Sequence, residues 1–225
     1  MDLSKQYNNI VDSYTKFNIS DVGNNFNRDL FYSYIDFIKP GMKVLDLACG
    51  DGFDIENYKK AFNAEFHGLD ASEEMIERAK KRLPDVDFKV GFFENLPFSD
   101  KEFDVVLSKY ALMTSADLEP VFKEINRVLK PGGTLMYLVT HPFRQYFEKK
   151  DNQADYFEKK QVESRVFDNQ VSFTEPSHVL TEYLNEYFFK NFDVQAYDER
   201  FDPAAEKIDG RKYPGFFILK AIKRK

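Results

Sequence analysis

Apolar residues are arranged along this chain in short, nearly continuous runs separated by turns. Four such runs lie in the first two-thirds of the sequence: Val44–Leu47, Glu65–Asp70, Phe103–Ser108 and Thr134–Thr140. Parallel strands that are covered on both faces read in this way, whereas strands with one solvated face alternate between apolar and polar residues. The runs therefore predict the strands of a buried parallel sheet.

Helical patterns separate these strands. Ser72 is placed to cap a helix, and the acidic residues that follow it precede the basic run Lys80–Arg82, an order that complements the helix dipole. Leu118–Leu129 carries an apolar stripe at helical spacing and stops at Pro131-Gly132-Gly133, which cannot continue a helix. Strands that alternate with helices predict an α/β fold with a doubly wound sheet.

The last third of the chain has a different pattern. Residues 142–175 are polar and aromatic without a clear period, and a helix is predicted from about Pro176 to Lys190. Two strand-like runs follow, Phe192–Arg200 and Pro214–Ile222, which predict an antiparallel hairpin at the sheet edge. Their connection, residues 201–213, would lie beside the carboxyl ends of the parallel strands, where such sheets bind ligands.

Composition restricts the class of protein. The chain has 225 residues, a net charge of −6 and one cysteine, Cys49. An acidic chain without a basic surface argues against nucleic-acid binding. The sequence has no cysteine and histidine spacing typical of zinc sites, so we expect no metal. It has neither a signal peptide nor an apolar stretch of membrane-spanning length, so we expect a cytoplasmic protein. We also expect a monomer or a homodimer.

A glycine-rich turn carries the strongest chemical signal. Gly50 and Gly52 follow the first strand, and Asp70 ends the second strand, where a carboxylate can accept both hydroxyls of a ribose. A nicotinamide-binding turn would need a third glycine where Ile55 stands. Taken alone, the turn could also join a strand to a helix without binding any ligand.

The segment Val44–Gly52 resembles motif I of class I S-adenosylmethionine (SAM)-dependent methyltransferases of the ubiquinone/menaquinone-biosynthesis-like branch. Further segments match that family in the same order over roughly residues 5 to 140, including the spacing of Tyr7 and Tyr14: Gly68–Ser72 with Met75, Asn95–Phe98, Glu102–Val106 and Arg127–Gly133. The resemblance implies a Rossmann-like sheet of seven strands.

It also implies the roles of individual residues. Asp46, Ala48, Gly50 and Gly52 would surround the methionine moiety of SAM, and Asp70 would hold its ribose. Other expected contacts are Ala71, Met75, Phe93 and Glu94 around the adenine, backbone contacts from Ser108, and closure by Tyr14 with Tyr7 and Arg28. Ala48 replaces the usual glycine, and Phe92 stands where the family often has an aspartate that binds the adenine amino group.

Several residues are candidates for contact with a methyl acceptor. His141 and Tyr110 follow the fifth and fourth strands and are the candidate general bases, with His178 as a third; His141 could instead only form hydrogen bonds within its loop. His178 and His67 are expected to be structural, Lys109 to be solvated, and Cys49 to be an inert small residue.

The chain is therefore expected to be a single methyltransferase domain. Its divisions would be an N-terminal flap (residues 1–38), a SAM-binding core (39–140), a lid (141–175) and a C-terminal helix and hairpin (176–225). The expected reaction is methyl transfer from SAM to nitrogen or oxygen of a small molecule, with S-adenosylhomocysteine as product. RNA or protein methylation, and SAM binding without transfer, are the alternatives.

Overall fold

The computed structural model describes residues 3–20, 22–149, 154–167, 170–203, 205 and 207–225. Residues 150–153 and 168–169 of the predicted lid and residues 204 and 206 of the 201–213 connection lie outside the described residues. A seven-stranded sheet runs through the molecule in the order β3-β2-β1-β4-β5-β9-β8. Its strands are β1 (Lys43–Leu47), β2 (Glu65–Asp70), β3 (Asp87–Val90), β4 (Phe103–Lys109), β5 (Leu129–Thr140), β8 (Phe192–Arg200) and β9 (Phe216–Lys223).

The strands β1 to β5 are parallel, and β9 pairs antiparallel with both β5 and β8. This arrangement confirms the predicted Rossmann-like doubly wound sheet with an antiparallel C-terminal hairpin. The chain order reverses between β1 and β4, and a doubly wound sheet binds its ligands beyond the strand ends at that point.

Helices cover both faces of the sheet. The described helices are α1 (Leu3–Ser20), α2 (Val22–Ser33), α3 (Phe53–Ala61), α4 (Glu73–Arg82), α5 (Leu118–Val128), α6 (Pro142–Glu148), α7 (Leu180–Tyr183) and α8 (Glu186–Asn191). One face packs a core with α2, α3 and α4, and the other packs a core with α5, α7 and α8. Every residue from Leu135 to Val139 in β5 is fully buried, as the apolar run predicts.

The polar caps form where the sequence places them. The Ser72 hydroxyl oxygen accepts from the Met75 amide at the start of α4, and Asp117 accepts from the Glu119 amide at the start of α5. Each bond satisfies a donor that the first helical turn leaves without an intrahelical partner.

The predicted irregular lid is more ordered than expected. It contains the helix α6 and a second, two-stranded sheet formed by β6 (Gln161–Val166) and β7 (Val171–Pro176), called here the lid hairpin. The inward face of the hairpin is buried but carries Ser164 and Glu175 among its apolar residues. These two polar residues interrupt the apolar alternation that would otherwise have predicted a strand pair.

The predicted helix from Pro176 to Lys190 is wrong in its bounds. Pro176 ends β7, α7 covers a single turn, and α8 begins anew after Leu184 and Asn185. The Asn185 side chain accepts from the Phe188 amide, so it caps α8 rather than continuing α7. A cap residue in the middle of an apolar stripe therefore separates the two helices.

A test of the packing beneath the glycine-rich turn concerns Gly68 in β2. A Cβ at this position would lie 2.5 Å from Phe88 and 2.7 Å from the Cys49 Sγ atom. Gly68→Ala should therefore lower the free energy of unfolding by about 1–3 kcal/mol through overpacking, measured by urea denaturation. The double variant Gly68→Ala/Phe88→Leu should recover part of the loss, and equal stability of Gly68→Ala and the wild type would contradict this packing.

Candidate functional site

A cavity of about 390 Å³ opens at the carboxyl ends of β1, β2 and β4, at the reversal point of the sheet. It is bounded by the α1 helix of the flap on one side and by the lid hairpin on the other. Its walls comprise Gln6, Tyr7, Tyr14, Ala48, Gly50, Asp70, Ala71, Met75, residues 91–94, residues 109–111, residues 114–116, Gln161, Thr174 and Pro176. The cavity thus joins segments that are far apart in sequence.

The glycine-rich turn forms the floor of the cavity in a left-handed backbone conformation. The φ angles of Ala48 and Gly50 are 60° and 54°. Alanine adopts such angles at a cost, so surrounding contacts must hold this turn in place. A Cβ at Gly50 would meet no atom within 4 Å, which shows that the glycine faces open space.

Asp70 holds the turn from the neighbouring strand. Its two carboxylate oxygens accept from the amides of Gly50 and Ser72, each at 2.9 Å. Burial raises the pKa of Asp70, and the backbone hydrogen bonds counteract that effect. The predicted ribose-binding carboxylate therefore lies in the cavity and connects the turn to the first residues before α4.

Several other residues that the sequence singles out line the cavity as well. Ala71 and Met75 line the cavity beside Asp70, and so do Phe93 and Glu94 from the loop after β3. Glu94 is fixed by a 2.5 Å hydrogen bond from the Ser115 hydroxyl. Phe92 lies in the wall as well.

Four predicted cofactor residues lie behind the cavity wall. Gly52 caps α3, and the buried Ser108 hydroxyl donates to the Leu47 carbonyl at 3.2 Å. Arg28 is buried with its guanidinium 4.8 Å from the centre of the Phe53 ring. Neither these residues nor Asp46 line the cavity.

A buried ion pair stands next to Asp46. The Lys109 ammonium lies 3.0 Å from an Asp54 carboxylate oxygen, and the two side chains are 8% and 15% exposed. Burial and the charge of Asp54 raise the pKa of Asp46, while Lys109 opposes them. The expectation that Lys109 is solvated is therefore wrong, because this lysine lines the cavity in an ion pair.

The flap and the lid meet over the cavity. The Gln6 side-chain amide donates to the Thr174 carbonyl at 3.2 Å and accepts from the Thr174 amide at 2.9 Å, so it pairs with β7 as a neighbouring strand would. Tyr7 packs on Phe173, and Tyr14 packs on Phe167, with ring centres 5.6 and 5.3 Å apart. Nothing in the sequence near Gln6 indicates this contact.

No histidine lines the cavity within the described part of the chain. His141 is 2% exposed, and its Nδ1 atom accepts from the Phe143 amide as the cap of α6. Its Nε2 atom lies 3.4 Å from Glu199, outside the cavity. The geometry therefore gives no support to His141 as a general base.

The two other histidines occupy structural positions, as expected. His178 lies between Met113 and Glu182, and His67 lies between Glu65 and Asp87 at the sheet. Cys49 is buried, and burial raises the pKa of its thiol, which disfavours the reactive thiolate.

Tyr110 does line the cavity, at a left-handed φ of 53°. Its hydroxyl accepts from the Asn27 side chain at 2.7 Å. Burial raises the pKa of Tyr110, and the Asp202 carboxylate raises it further. The phenol is therefore a poor general base. Asn27 lies in a segment without a motif. Asp202 lies in the 201–213 connection, which the sequence places near the strand ends without indicating a particular residue.

Comparison with known proteins identifies the family. A family model described as a methyltransferase domain matches residues 38–188. The chain belongs to this methyltransferase family. It is 42% identical over 106 residues to an uncharacterized methyltransferase of Synechocystis, which covers 46% of this chain and 50% of that protein. It is 41% identical over 91 residues to the demethylmenaquinone methyltransferase of Chlorobaculum parvum, 40% of this chain and 38% of that protein.

The fold of the methyltransferase is also found in solved structures. A SAM-dependent methyltransferase from Listeria monocytogenes superposes with a TM-score of 0.70 and 22% identity, covering 90% of this chain and 97% of that one. The chain spans half or less of the length of the two curated relatives. Family and neighbours imply SAM as the cofactor.

The cavity residues fit that cofactor. Asp70 offers carboxylate oxygens suited to a ribose, Met75 and Phe93 offer apolar surface suited to an adenine, and Gly50 leaves open space at the turn. Of the three acidic residues Asp46, Asp54 and Asp70, only Asp70 lines the cavity. Among the described residues, no group of three or more potential ligands could hold a metal ion.

The contribution of Asp70 can be measured by calorimetry in a buffer containing EDTA. Charge-assisted hydrogen bonds contribute roughly 1.5–3 kcal/mol each, so Asp70→Ala should weaken SAM binding by about tenfold or more. Part of that loss will come from the released Gly50 and Ser72 amides. The control variant Glu73→Gln removes an exposed carboxylate at the start of α4, three residues after Asp70, and should bind SAM normally. Unchanged affinity in Asp70→Ala would show that the ribose lies elsewhere.

Proposed function

We propose that this methyltransferase transfers a methyl group from SAM to a small-molecule acceptor held under the lid. The observation that carries the proposal is the continuity of the cavity, which extends from Gly50 and Asp70 past the end of β4 to Gln161 and Thr174 of the lid hairpin. One space thus joins a cofactor half to a second half that the cofactor motif does not account for. SAM supplies a methyl group on a good leaving group, so catalysis depends mainly on positioning.

The second half of the cavity favours a small polar or aromatic acceptor. Its walls combine Thr114, Ser115, Gln161 and Thr174 with the ring of Tyr110. The flap and the lid close over it through Gln6 and Thr174, which leaves little access for a macromolecule. The net charge of −6 also disfavours RNA as the acceptor.

The proton inventory of the cavity bears on the acceptor atom. Burial raises the pKa of Tyr7, Tyr14 and Tyr110, so these phenols are poor bases. Lys109 is occupied by Asp54. The walls therefore favour a nucleophile that arrives with a free electron pair, such as an uncharged amine or an ionised oxygen. The demethylmenaquinone methyltransferase among the relatives makes an electron-rich carbon the second candidate.

Product formation separates transfer from binding alone. The protein should be incubated with SAM and pools of small amines, phenols and quinols, and assayed for S-adenosylhomocysteine together with a 14-Da mass gain in one pool member. Asp70→Ala serves as the control that lacks tight SAM binding. SAM binding with no product from any pool would favour a SAM-binding protein, and product from RNA or protein alone would contradict the small-molecule proposal.

Closure of the flap and lid can be tested without an acceptor. S-adenosylhomocysteine should slow hydrogen exchange in residues 3–20, 161–166 and 171–176 together, because Gln6 joins α1 to β7. Gln6→Ala removes both bonds to Thr174 and should raise exchange in β7 severalfold, whereas Asn9→Ala, at an exposed position of the same helix, should not. If only the Gly50 turn and Asp70 respond to the product, the lid is structural and the acceptor site must be sought elsewhere, first in residues 201–213.

Several expectations stay predictions. These are the cytoplasmic location, the monomeric or homodimeric state and the division into flap, core, lid and C-terminal hairpin. No described helix has the length and apolar character needed to cross a membrane.

A further inference from the structure

A carboxyl group is buried in the lid, apart from the residues that line the cavity. Glu175 in β7 is 0% exposed and faces inward between Thr174 and Pro176, which belong to the cavity wall. Burying a charged carboxylate is costly unless its oxygens receive hydrogen bonds. The partners of Glu175 therefore decide which protonation state the closed lid accepts.

Only one of the two carboxyl oxygens is satisfied. Oε1 accepts from the Gln145 side chain at 3.0 Å and from the Ser164 hydroxyl at 2.8 Å. Oε2 is buried and has no hydrogen-bond partner among the described residues. This environment suits an uncharged acid, which has a weaker need for donors than a carboxylate has.

The charged and titratable groups around Glu175 give it little compensation. Glu148 faces it from α6 and disfavours the carboxylate, while His178, from the segment between β7 and α7, favours it. Tyr7 of α1 and Tyr183 of α7 are close enough for Glu175 to raise their pKa values. Burial outweighs the two hydrogen bonds and raises the pKa of Glu175 to about 7.

The same residues attach the lid to the cavity wall. Gln145 of α6 also donates to the Pro176 carbonyl and accepts from the His178 amide. The His178 ring lies 3.0 Å from the Met113 carbonyl, next to Thr114 in the cavity wall, and 3.2 Å from Glu182. A change in the protonation of Glu175 therefore occurs next to the contacts that hold β7 over the second half of the cavity. That half is called here the acceptor half and is lined by Thr114, Ser115, Gln161, Thr174 and Tyr110.

We propose that Glu175 is a pH-sensitive latch of the lid: its uncharged carboxyl holds the lid hairpin against α6, and its ionisation releases the hairpin from the cavity. The direction follows from linkage. A closed lid that binds the proton more tightly than an open lid is favoured at low pH and loses stability as the pH rises from the open-state pKa towards the closed-state pKa.

The size of the effect follows from the two pKa values. With 4.5 as the ordinary value of the open, solvated carboxyl and about 7 in the closed lid, the opening constant should rise about tenfold between pH 6 and pH 8. Below the ordinary value both states are protonated, and well above the closed-state value both are ionised, so further changes in pH have no effect.

Hydrogen exchange of the apo protein at pH 6 and pH 8, corrected for intrinsic exchange rates, tests the latch. Protection of residues 161–166 and 171–176 should fall about tenfold in the wild type and less than twofold in Glu175→Gln, whose side chain mimics the neutral acid. Glu163→Gln, which removes a partly exposed carboxylate from the face of the same hairpin opposite to Glu175, should keep the wild-type response. Equal pH dependence in the wild type and Glu175→Gln would overturn the proposal.

A second variant guards against misfolding of Glu175→Gln. Ser164→Ala removes a donor that favours the ionised carboxylate, so the midpoint of lid opening should move to higher pH. A midpoint that stays in place or moves to lower pH would also overturn the latch. The latch rests on the proposed function only in that the lid covers the acceptor half. The exchange experiment needs no acceptor, so its failure is distinguishable from a failure to detect methyl transfer.

Discussion

The carboxylate of Asp70 determines the shape of the site. One side chain at the end of β2 accepts from Gly50 in the turn after β1 and from Ser72 before α4. Ala48 and Gly50 adopt left-handed backbone angles that cost free energy, and the bond to Asp70 helps to offset that cost. Because hydrogen bonds from backbone amides to the Asp70 carboxylate hold the floor, the turn is preorganised before any ligand enters. The flap, the loop after β3 and the lid are placed around this fixed floor.

A cluster of charged and acidic side chains lies behind the floor of the cavity. Asp46 is buried near the partly buried Asp54, and the Lys109 ammonium pairs with Asp54. Removing one member of a buried pair leaves an uncompensated charge, so this cluster resists change even where it does not touch the cavity. In the proposed function the sulfonium of SAM would lie near the turn.

The sequence could predict the sheet and the turn that forms the cavity floor, because both depend on local patterns. Apolar runs locate the strands, Ser72 caps α4, and the turn with Asp70 lies in the cavity. The acceptor half depends on contacts between distant segments. Gln6 pairs with Thr174, and Asn27 with Tyr110, across intervals that no spacing rule covers. The buried Glu175 interrupts the apolar alternation of β7, so the sequence does not predict this strand. His141 follows β5, where a general base is expected, but it caps α6.

In the proposed latch, a single buried carboxyl group both holds the lid closed and allows it to open. A hairpin with an entirely apolar inner face would dock at any pH, since apolar burial does not depend on protonation. Glu175 makes docking conditional, because its second oxygen has no donor among the described residues when the lid is closed. Cavity phenols that stay protonated leave positioning as the main task of the protein in the proposed reaction. Under that proposal, the stability of the closed lid would control how long the acceptor stays aligned with the methyl group. Protonation of Glu175 would therefore act on that alignment, which is the main contribution of the cavity to catalysis.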